Sequence, residues 1–252
     1  MTVKHGIAAM SMVLASAAQA AKVHLYTEEY PPFNWTDQAS GKVVGIAADI
    51  VKTLFERSAV AATGADLVPW ARAYSTTLAT PNSCLFSTAR IAEREQQFSW
   101  VGPIGHNEVV MFARRADHVV LPDIDAARPY RVGSYFADAT VEFLKERKFT
   151  LDIAPAARFN PQKLLMHRID LWATGRLPGL FLLRQMGITD IEPVLRYDSA
   201  DLYLACHRSL DGAILARLNA TLKLMTHDGT LARIYAHYGF EGELPAFAAA
   251  PK

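Results

Sequence analysis

The sequence has few of the patterns on which catalytic and metal sites depend. It contains no G-x-S-x-G, H-E-x-x-H, Walker or G-x-G-x-x-G motif. Its 8 histidines are scattered singly, whereas the ligands of structural zinc sites recur at short, regular spacings. We therefore expect a protein that uses no metal or cofactor and that is not an enzyme.

An excess of charge of one sign is also missing. Lys and Arg together number 26 and Asp and Glu 25, and no basic cluster interrupts the chain. Proteins that bind nucleic acid rely on clustered Lys and Arg. We therefore expect no nucleic-acid partner and predict a small-molecule ligand instead.

Long hydrophobic runs are absent as well. The apolar stretch at residues 6–17 is shorter than the roughly 20 residues that a membrane-spanning helix needs. It follows Lys4 and precedes Ala18-Gln19-Ala20, which is the pattern of a secretory signal and its cleavage site. The sequence thus predicts a signal peptide at residues 1–20 and a soluble, exported protein.

Cysteine is rare, with only Cys84 and Cys206 present. Export to an oxidising compartment permits a disulfide between them. Spacing alone does not show whether the two residues approach closely enough, so a disulfide and two buried thiols both remain open.

Short β-like runs alternate with helical patterns along the rest of the chain, which favours α/β architecture. Residues 22–27 alternate as a strand, and residues 47–57 carry an apolar helical face. Asn160 before Pro161 indicates the start of a later helix, with Asn160 as its N-cap.

Aromatic, hydroxyl and guanidinium groups follow three of the predicted strands. Open α/β sheets bind ligands beyond the carboxyl ends of their strands, and guanidinium groups suit carboxylates. Alternatively, the aromatic residues cover the core and the arginines pair with Glu93 or Glu95. The candidate ligand contacts are Tyr30 and Phe33 after the first strand, Trp70 after the second, and Ser87, Thr88, Arg90 and Arg94 after the third.

In these features and their order, the sequence resembles the family 3 extracellular solute-binding proteins that serve ABC importers of polar amino acids. The resemblance covers essentially all of the chain after residue 20. The shared features are residues 30–33, Gly45 with Asp49, the block at 88–100 with Glu93-Arg94, Val132-Gly133, Arg168-Ile169-Asp170 and Asp228-Gly229-Thr230.

The resemblance implies a two-lobed periplasmic-binding-protein (Venus-flytrap) fold with two hinge strands. Residues 21–113 and 201–252 would form lobe 1, which would contain both cysteines, and residues 114–200 would form lobe 2. Such a protein captures an amino-acid-like or carboxylate-bearing ligand in the periplasm and passes it to an inner-membrane ABC permease. The implied roles are carboxylate binding for Arg94 and covering of the ligand for Tyr30.

One departure from the family concerns the ligand's ammonium group. Amino-acid binders of this family usually place an aspartate after the R-x-D strand to bind it, but this chain has Thr174-Gly175-Arg176 there. A family Gly-Thr pair is likewise replaced by Ala137-Asp138.

Three other acids could supply the missing charge, namely Asp138, Glu28 and Glu29. We predict Asp138, together with Tyr135, as a ligand contact from lobe 2, because both follow the Val-Gly strand end where the family's contacts cluster. Two alternative functions stay open: an enzyme similar to cyclohexadienyl dehydratases, which would need an acid or base in the cleft, and an orphan sensory receptor.

Overall fold

Strands and helices alternate along the chain, which confirms the predicted α/β class. The structure is a computed structural model that describes residues 22–135 and 139–248. The predicted signal peptide at 1–20 and the candidate Asp138 lie outside the described residues.

The strands are β1 (Val23–Thr27), β2 (Trp35–Thr36), β3 (Val43–Val44), β4 (Ala62–Leu67), β5 (Ser83–Ala89), β6 (Phe98–Arg114), β7 (Val132–Tyr135), β8 (Leu151–Ala154), β9 (Leu171–Gly175) and β10 (Ile191–His207). The helices are α1 (Ile46–Ser58), α2 (Trp70–Ala79), α3 (Ala139–Glu146), α4 (Asn160–Leu165), α5 (Arg176–Gln185), α6 (Gly212–His227) and α7 (Thr230–His237).

Two long strands connect the halves of one eight-stranded sheet, whose order is β4-β1-β5-β10-β6-β9-β7-β8. β1 is parallel to β4 and β5, and β7 is parallel to β8 and β9. β6 and β10 are antiparallel to each other along their lengths. The end of β10 pairs with β5, whereas the end of β6 pairs with β9. β6 and β10 therefore each belong to both halves, as expected of hinge strands.

Separate hydrophobic cores mark the two lobes. The core that contains β1, α1, α6 and α7 lies at the lobe 1 end of the sheet and also includes Leu177 of α5, whereas two smaller cores lie at the lobe 2 end. Ile104 packs in the lobe 1 core, whereas Val110 and Met111 pack in those of lobe 2. We therefore propose that β6 passes between the lobes at residues 104–109, slightly before the predicted boundary at 113. In the described part of the chain, no helix has the length and apolar character to cross a membrane.

A disulfide joins Cys84 of β5 to Cys206 of β10. The two residues are direct partners in the antiparallel pairing of these strands, with their Cα atoms 3.9 Å apart. Both belong to the lobe 1 core. Of the two states that the sequence left open, the structure thus shows the cross-linked one.

The predicted N-cap role of Asn160 is wrong. Phe159 occupies the N-cap position of α4, and Asn160 is the first helical residue. The Nδ2 atom of buried Asn160 donates to the carbonyl oxygen of Ser134, 3.0 Å away. A tertiary hydrogen bond to β7 has thus replaced the local capping bond.

Candidate functional site

A buried asparagine connects the ends of β1 and β5. Asn34 Nδ2 donates to the carbonyl oxygen of Glu28, and its Oδ1 accepts from the hydroxyl of Ser87. The amide of Tyr30 donates to the Asn34 carbonyl oxygen at 2.7 Å. These bonds hold Glu28 and Tyr30 beyond the carboxyl end of β1, where open α/β sheets bind ligands. The Ser87 hydroxyl contributes to this support.

The segment that carries Tyr30 also rests on the start of α1. Gly45, with φ of +129°, lets the chains approach so closely that a Cβ atom there would lie 2.4 Å from the carbonyl oxygen of Phe33. The Gly45 amide donates to the Tyr238 hydroxyl, which in turn donates to Asp49 at 2.7 Å. The hydrogen bonds of Gly45 and Asp49 with Tyr238, and the close approach of Gly45 to Phe33, therefore fix the position of the loop at residues 30–33.

Arg94 lies against the aromatic side chains of α2. Its guanidinium carbon is 5.0 Å from the ring centroid of Trp70 and 5.5 Å from that of Tyr74. Its Nη1 donates to the carbonyl oxygen of Ala89 at 3.3 Å. None of the ion pairs formed among the described residues involves Arg94. The structure thus brings two predicted contacts, Trp70 and Arg94, together and leaves guanidinium donors for a ligand.

The carboxyl group of Glu28 interacts electrostatically with Arg94. Burial raises the pKa of Glu28 from its ordinary value of 4.5 to about 7, and the positive charge of Arg94 opposes part of this rise. The raised pKa means that the carboxyl is partly protonated at neutral pH. The site therefore combines a fixed cation with an acid whose charge responds to its surroundings.

Three predicted contacts have partners of their own within lobe 1. Phe33 is fully buried in the core, and Thr88, also fully buried, donates its hydroxyl to the Leu85 carbonyl oxygen at 3.1 Å. Arg90 forms two hydrogen bonds with Glu95, at 2.8 and 2.6 Å, which is the alternative that the sequence allowed. Ligand binding by these residues stays a prediction.

Tyr30 and Tyr135, predicted as contacts from opposite lobes, line the same cavity of about 410 Å³. Glu29 and Pro31 accompany Tyr30 on the lobe 1 side. Residues of β9 and α5 and the segment after β8 form the lobe 2 side. The two tyrosines therefore border one cavity, and ligand binding by either of them stays a prediction.

The position that lacks the family's aspartate is crowded by the Asn107 side chain. A Cβ atom on Gly175 would lie 2.5 Å from Asn107 Oδ1 and 3.1 Å from Pro178. The neighbouring Arg176 forms two hydrogen bonds with the Glu243 carboxylate. Neither residue offers an acid, so we expect an acid for a ligand ammonium group to come from another segment.

Two histidine side chains of the described segments each pair with a single acid. His24 Nε2 lies 2.8 Å from Asp66 Oδ2, and His106 Nδ1 lies 2.6 Å from Asp201 Oδ1. Across residues 22–135 and 139–248, no group of three or more His, Cys, Asp and Glu residues is arranged to hold a metal ion.

Sequence reasoning missed several residues around the site. Tyr74 follows Trp70 by four residues on one helix, so helical spacing could have placed both against Arg94. Asn34 lies in a turn whose sequence gives no sign of its burial. Trp172 and Phe181 also line the cavity. The sequence pattern places Trp172 in a strand and gives no indication of a site role for either residue.

Comparison with known proteins identifies one matching family model. The model of bacterial extracellular solute-binding proteins, family 3, matches residues 23–241. No curated protein matches the sequence.

Solved structures of similar fold cover 86% of this chain. A histidine kinase sensor domain described as similar to periplasmic binding proteins is 21% identical, with 95% of that chain covered and a TM-score of 0.72. An ancestral arginine-binding protein bound to arginine is 17% identical, with 97% covered and a TM-score of 0.69. The GluR0 ligand-binding core from Nostoc punctiforme, in complex with L-glutamate, is 15% identical, with 99% covered and a TM-score of 0.71. These similarities confirm the predicted two-lobed periplasmic-binding-protein fold.

Proposed function

Because this chain belongs to the bacterial extracellular solute-binding proteins of family 3, we propose that it captures a small, polar, carboxylate-bearing ligand between its lobes. The observation that carries this proposal is the placement of Arg94 on the rings of Trp70 and Tyr74, where it forms no ion pair with a described carboxylate and interacts with Glu28 only electrostatically. A guanidinium group without a protein carboxylate can bind a ligand carboxylate through two parallel hydrogen bonds. Glu28 complements a positive group on the same ligand, so an amino-acid-like molecule fits both charges.

The proposal extends to export and transport. The signal sequence at residues 1–20 supports delivery to the periplasm. There the protein would close around its ligand and present it to an inner-membrane ABC permease. Closure follows from binding by both lobes, because the ligand then favours the closed state.

A thermal-shift screen of the exported protein against amino acids, amines and small carboxylates tests this function. A ligand at 100 times its dissociation constant should add about 2.7 kcal/mol to the free energy of unfolding. The proposal predicts hits that carry a carboxylate, and hits restricted to uncharged or purely cationic compounds would contradict it.

One observation favours a second candidate, an enzyme on the same fold. A carboxyl with a pKa of about 7, as burial produces at Glu28, is suited to general acid or base catalysis at neutral pH. NMR spectra of a confirmed ligand, followed for hours with the protein, separate the candidates. An unchanged ligand supports binding alone, whereas a product whose formation is abolished by Glu28→Gln supports the enzyme.

A further inference from the structure

A second cavity, of about 520 Å³, lies on lobe 1. It is bordered by α1, by the edge strand β4 and by the turn that joins β2 to β3. Its lining shares no described residue with the cavity beside Tyr30. Its volume falls in the range of about 300 to 1,000 Å³ that is typical of small-molecule pockets. The protein therefore has room for a ligand at a place separate from the candidate site.

One stripe of α1 forms the long wall of this second cavity. Its members recur at the helical spacing and are Ala48, Val51, Lys52, Phe55 and Glu56. At 1.5 Å per residue, the stripe runs for about 12 Å along the helix. A cavity of this shape suits an extended chain better than a compact group.

The strand that faces α1 leaves the cavity open. Ala62 and Ala65 of β4 line it and are only partly buried against the lobe 1 core. Alanine has no atom beyond Cβ, so neither side chain fills the space between the strand and the helix. Val43, from the turn side, is likewise only partly buried. An apolar chain bound here would remove apolar surface from water, which is favourable.

Two lysines give the second cavity its charge. Lys42 and Lys52 line it, and both are exposed. Among the described residues, lysine ion pairs form at Lys145 and Lys163, and neither Lys42 nor Lys52 has a carboxylate partner. Glu56 is the acid in the lining, and it forms no ion pair with a described residue. Two positive charges against one negative charge favour an anionic ligand.

We propose that the second cavity binds an amphiphilic carboxylate, a molecule with an anionic head and an unbranched apolar tail. The head lies between Lys42 and Lys52, and the tail follows α1 past Phe55. This site goes beyond the proposed function, because it needs neither Arg94 nor a contact from lobe 2.

Calorimetry with a series of fatty acids tests the tail. Hexanoate, octanoate and decanoate have the same head and differ by pairs of methylene groups. Each pair should strengthen binding about fivefold, since the open cavity buries only part of each methylene. Decyltrimethylammonium, which has the tail and a positive head, should bind at least about tenfold more weakly than decanoate. Equal binding of hexanoate and decanoate would overturn the proposal.

Variants of the lining test the location. Ala65 pairs in register with Leu25, which also lines the cavity. The ring of Ala65→Phe should therefore project into the cavity and weaken decanoate at least about tenfold. Ala61→Phe, at an exposed position outside the lining, is the matched control and should bind decanoate as the wild type does. The double variant Lys42→Gln, Lys52→Gln should weaken decanoate about fivefold.

Two further measurements separate this site from the candidate site. Arg94→Ala should keep the wild-type affinity for decanoate. Amide resonances of Gly41 and Gly64, which line the second cavity, should shift when decanoate is added to the wild type, and the amide resonance of Gly179 in α5 should not. If Ala65→Phe fails to fold, the lysine variant and these resonances still decide. Loss of decanoate binding in Arg94→Ala, with none in Ala65→Phe or the lysine variant, would overturn the proposal and leave the proposed function intact.

Discussion

Arg176 donates hydrogen bonds from Nε and Nη2 to the two carboxylate oxygens of Glu243, at 2.6 and 2.8 Å. Arg176 begins α5, directly after β9 of lobe 2. Glu243 follows α7, in a turn next to Phe240 of the lobe 1 core. Both side chains are half-buried. The pair therefore joins the start of α5 to the turn after α7 without the help of a ligand.

We predict that this ion pair stabilises the closed state. Glu243→Gln removes one charge of a half-buried pair, which should cost about 1 kcal/mol and weaken ligand affinity about fivefold by lowering the closed population. Small-angle scattering should show a larger radius of gyration for the unliganded variant. Glu241→Gln, in the same turn but exposed, is the control. Identical radii for wild type and Glu243→Gln would contradict the prediction.

Arg94 should be the principal carboxylate anchor. Removing one partner of a buried charge pair costs about 3 to 5 kcal/mol, so Arg94→Ala should weaken the affinity at least about 100-fold. Arg72, exposed on the same α2 that carries Trp70, is the matched control, and Arg72→Ala should change the affinity little. Calorimetry that gives wild-type affinity for Arg94→Ala would exclude this role.

The raised pKa of Glu28 should make the stability of the unliganded protein depend on pH. Between its ordinary pKa of 4.5 and its folded value of about 7, the folded state holds a proton that the unfolded state has lost. The free energy of unfolding should therefore fall by about 2 to 3 kcal/mol as the pH rises through this window, and should be unaffected by Glu28 below it.

Urea unfolding of Glu28→Gln between pH 4 and pH 8, compared with wild type, checks this dependence. The variant should lack the fall in stability that Glu28 causes. Glu29→Gln is the control at the neighbouring exposed position and should retain it. Parallel profiles for wild type and Glu28→Gln would refute the assignment.

Local sequence patterns predicted those helices and strands whose apolar residues all pack in a single hydrophobic core. The apolar face of residues 47–57 corresponds to α1, and all its buried positions pack in lobe 1. In contrast, α5 was not predicted, because Pro178 and Gly179 interrupt its pattern. Gly179 is required where a Cβ atom would lie 2.4 Å from Phe112. This tertiary contact cannot be read from residues 176–185 alone.

The candidate site was also only partly predictable from the sequence. Strand ends and residue chemistry predicted Trp70 and Arg94, which the structure brings together. Sequence could not predict which guanidinium a protein carboxylate would neutralise. Arg90 is bound by Glu95, whereas Arg94 lies against Trp70 and Tyr74.

Reduction of the disulfide should destabilise lobe 1. The bond joins residues separated by 122 positions, and closing so long a loop contributes about 4 to 5 kcal/mol in the chain-entropy model. Urea unfolding with and without dithiothreitol should show this loss for the wild type. The Cys84→Ala, Cys206→Ala double variant is the control and should not respond to reductant. Equal midpoints for oxidised and reduced wild type would contradict the prediction.

The final prediction concerns the acid that binds a ligand ammonium group. An ammonium buried without a carboxylate is costly, and Gly175 has no side chain to offer. Asp138, Glu28 and Glu29 are the candidates. Glu28 and Glu29 lie among the described residues, and of these two Glu28 is the one whose pKa is affected by the charge of Arg94. Each acid can be tested with an amine-bearing ligand and its deaminated analogue.

If Asp138 binds the ammonium, Asp138→Asn should weaken the amine strongly and leave the analogue almost unchanged. If Asp138 only caps α3, the variant should bind both ligands as the wild type does, because asparagine caps helices about as well as aspartate.

Glu28→Gln should then weaken binding of the amine and leave binding of its deaminated analogue almost unchanged. In that case wild-type affinity for the amine should also rise with pH toward a plateau above about 7, as Glu28 ionises. Calorimetry at pH 6 and pH 8 would reveal this rise. If Asp138→Asn weakens the amine selectively and the wild-type affinity is the same at both pH values, Asp138 alone binds the ammonium group.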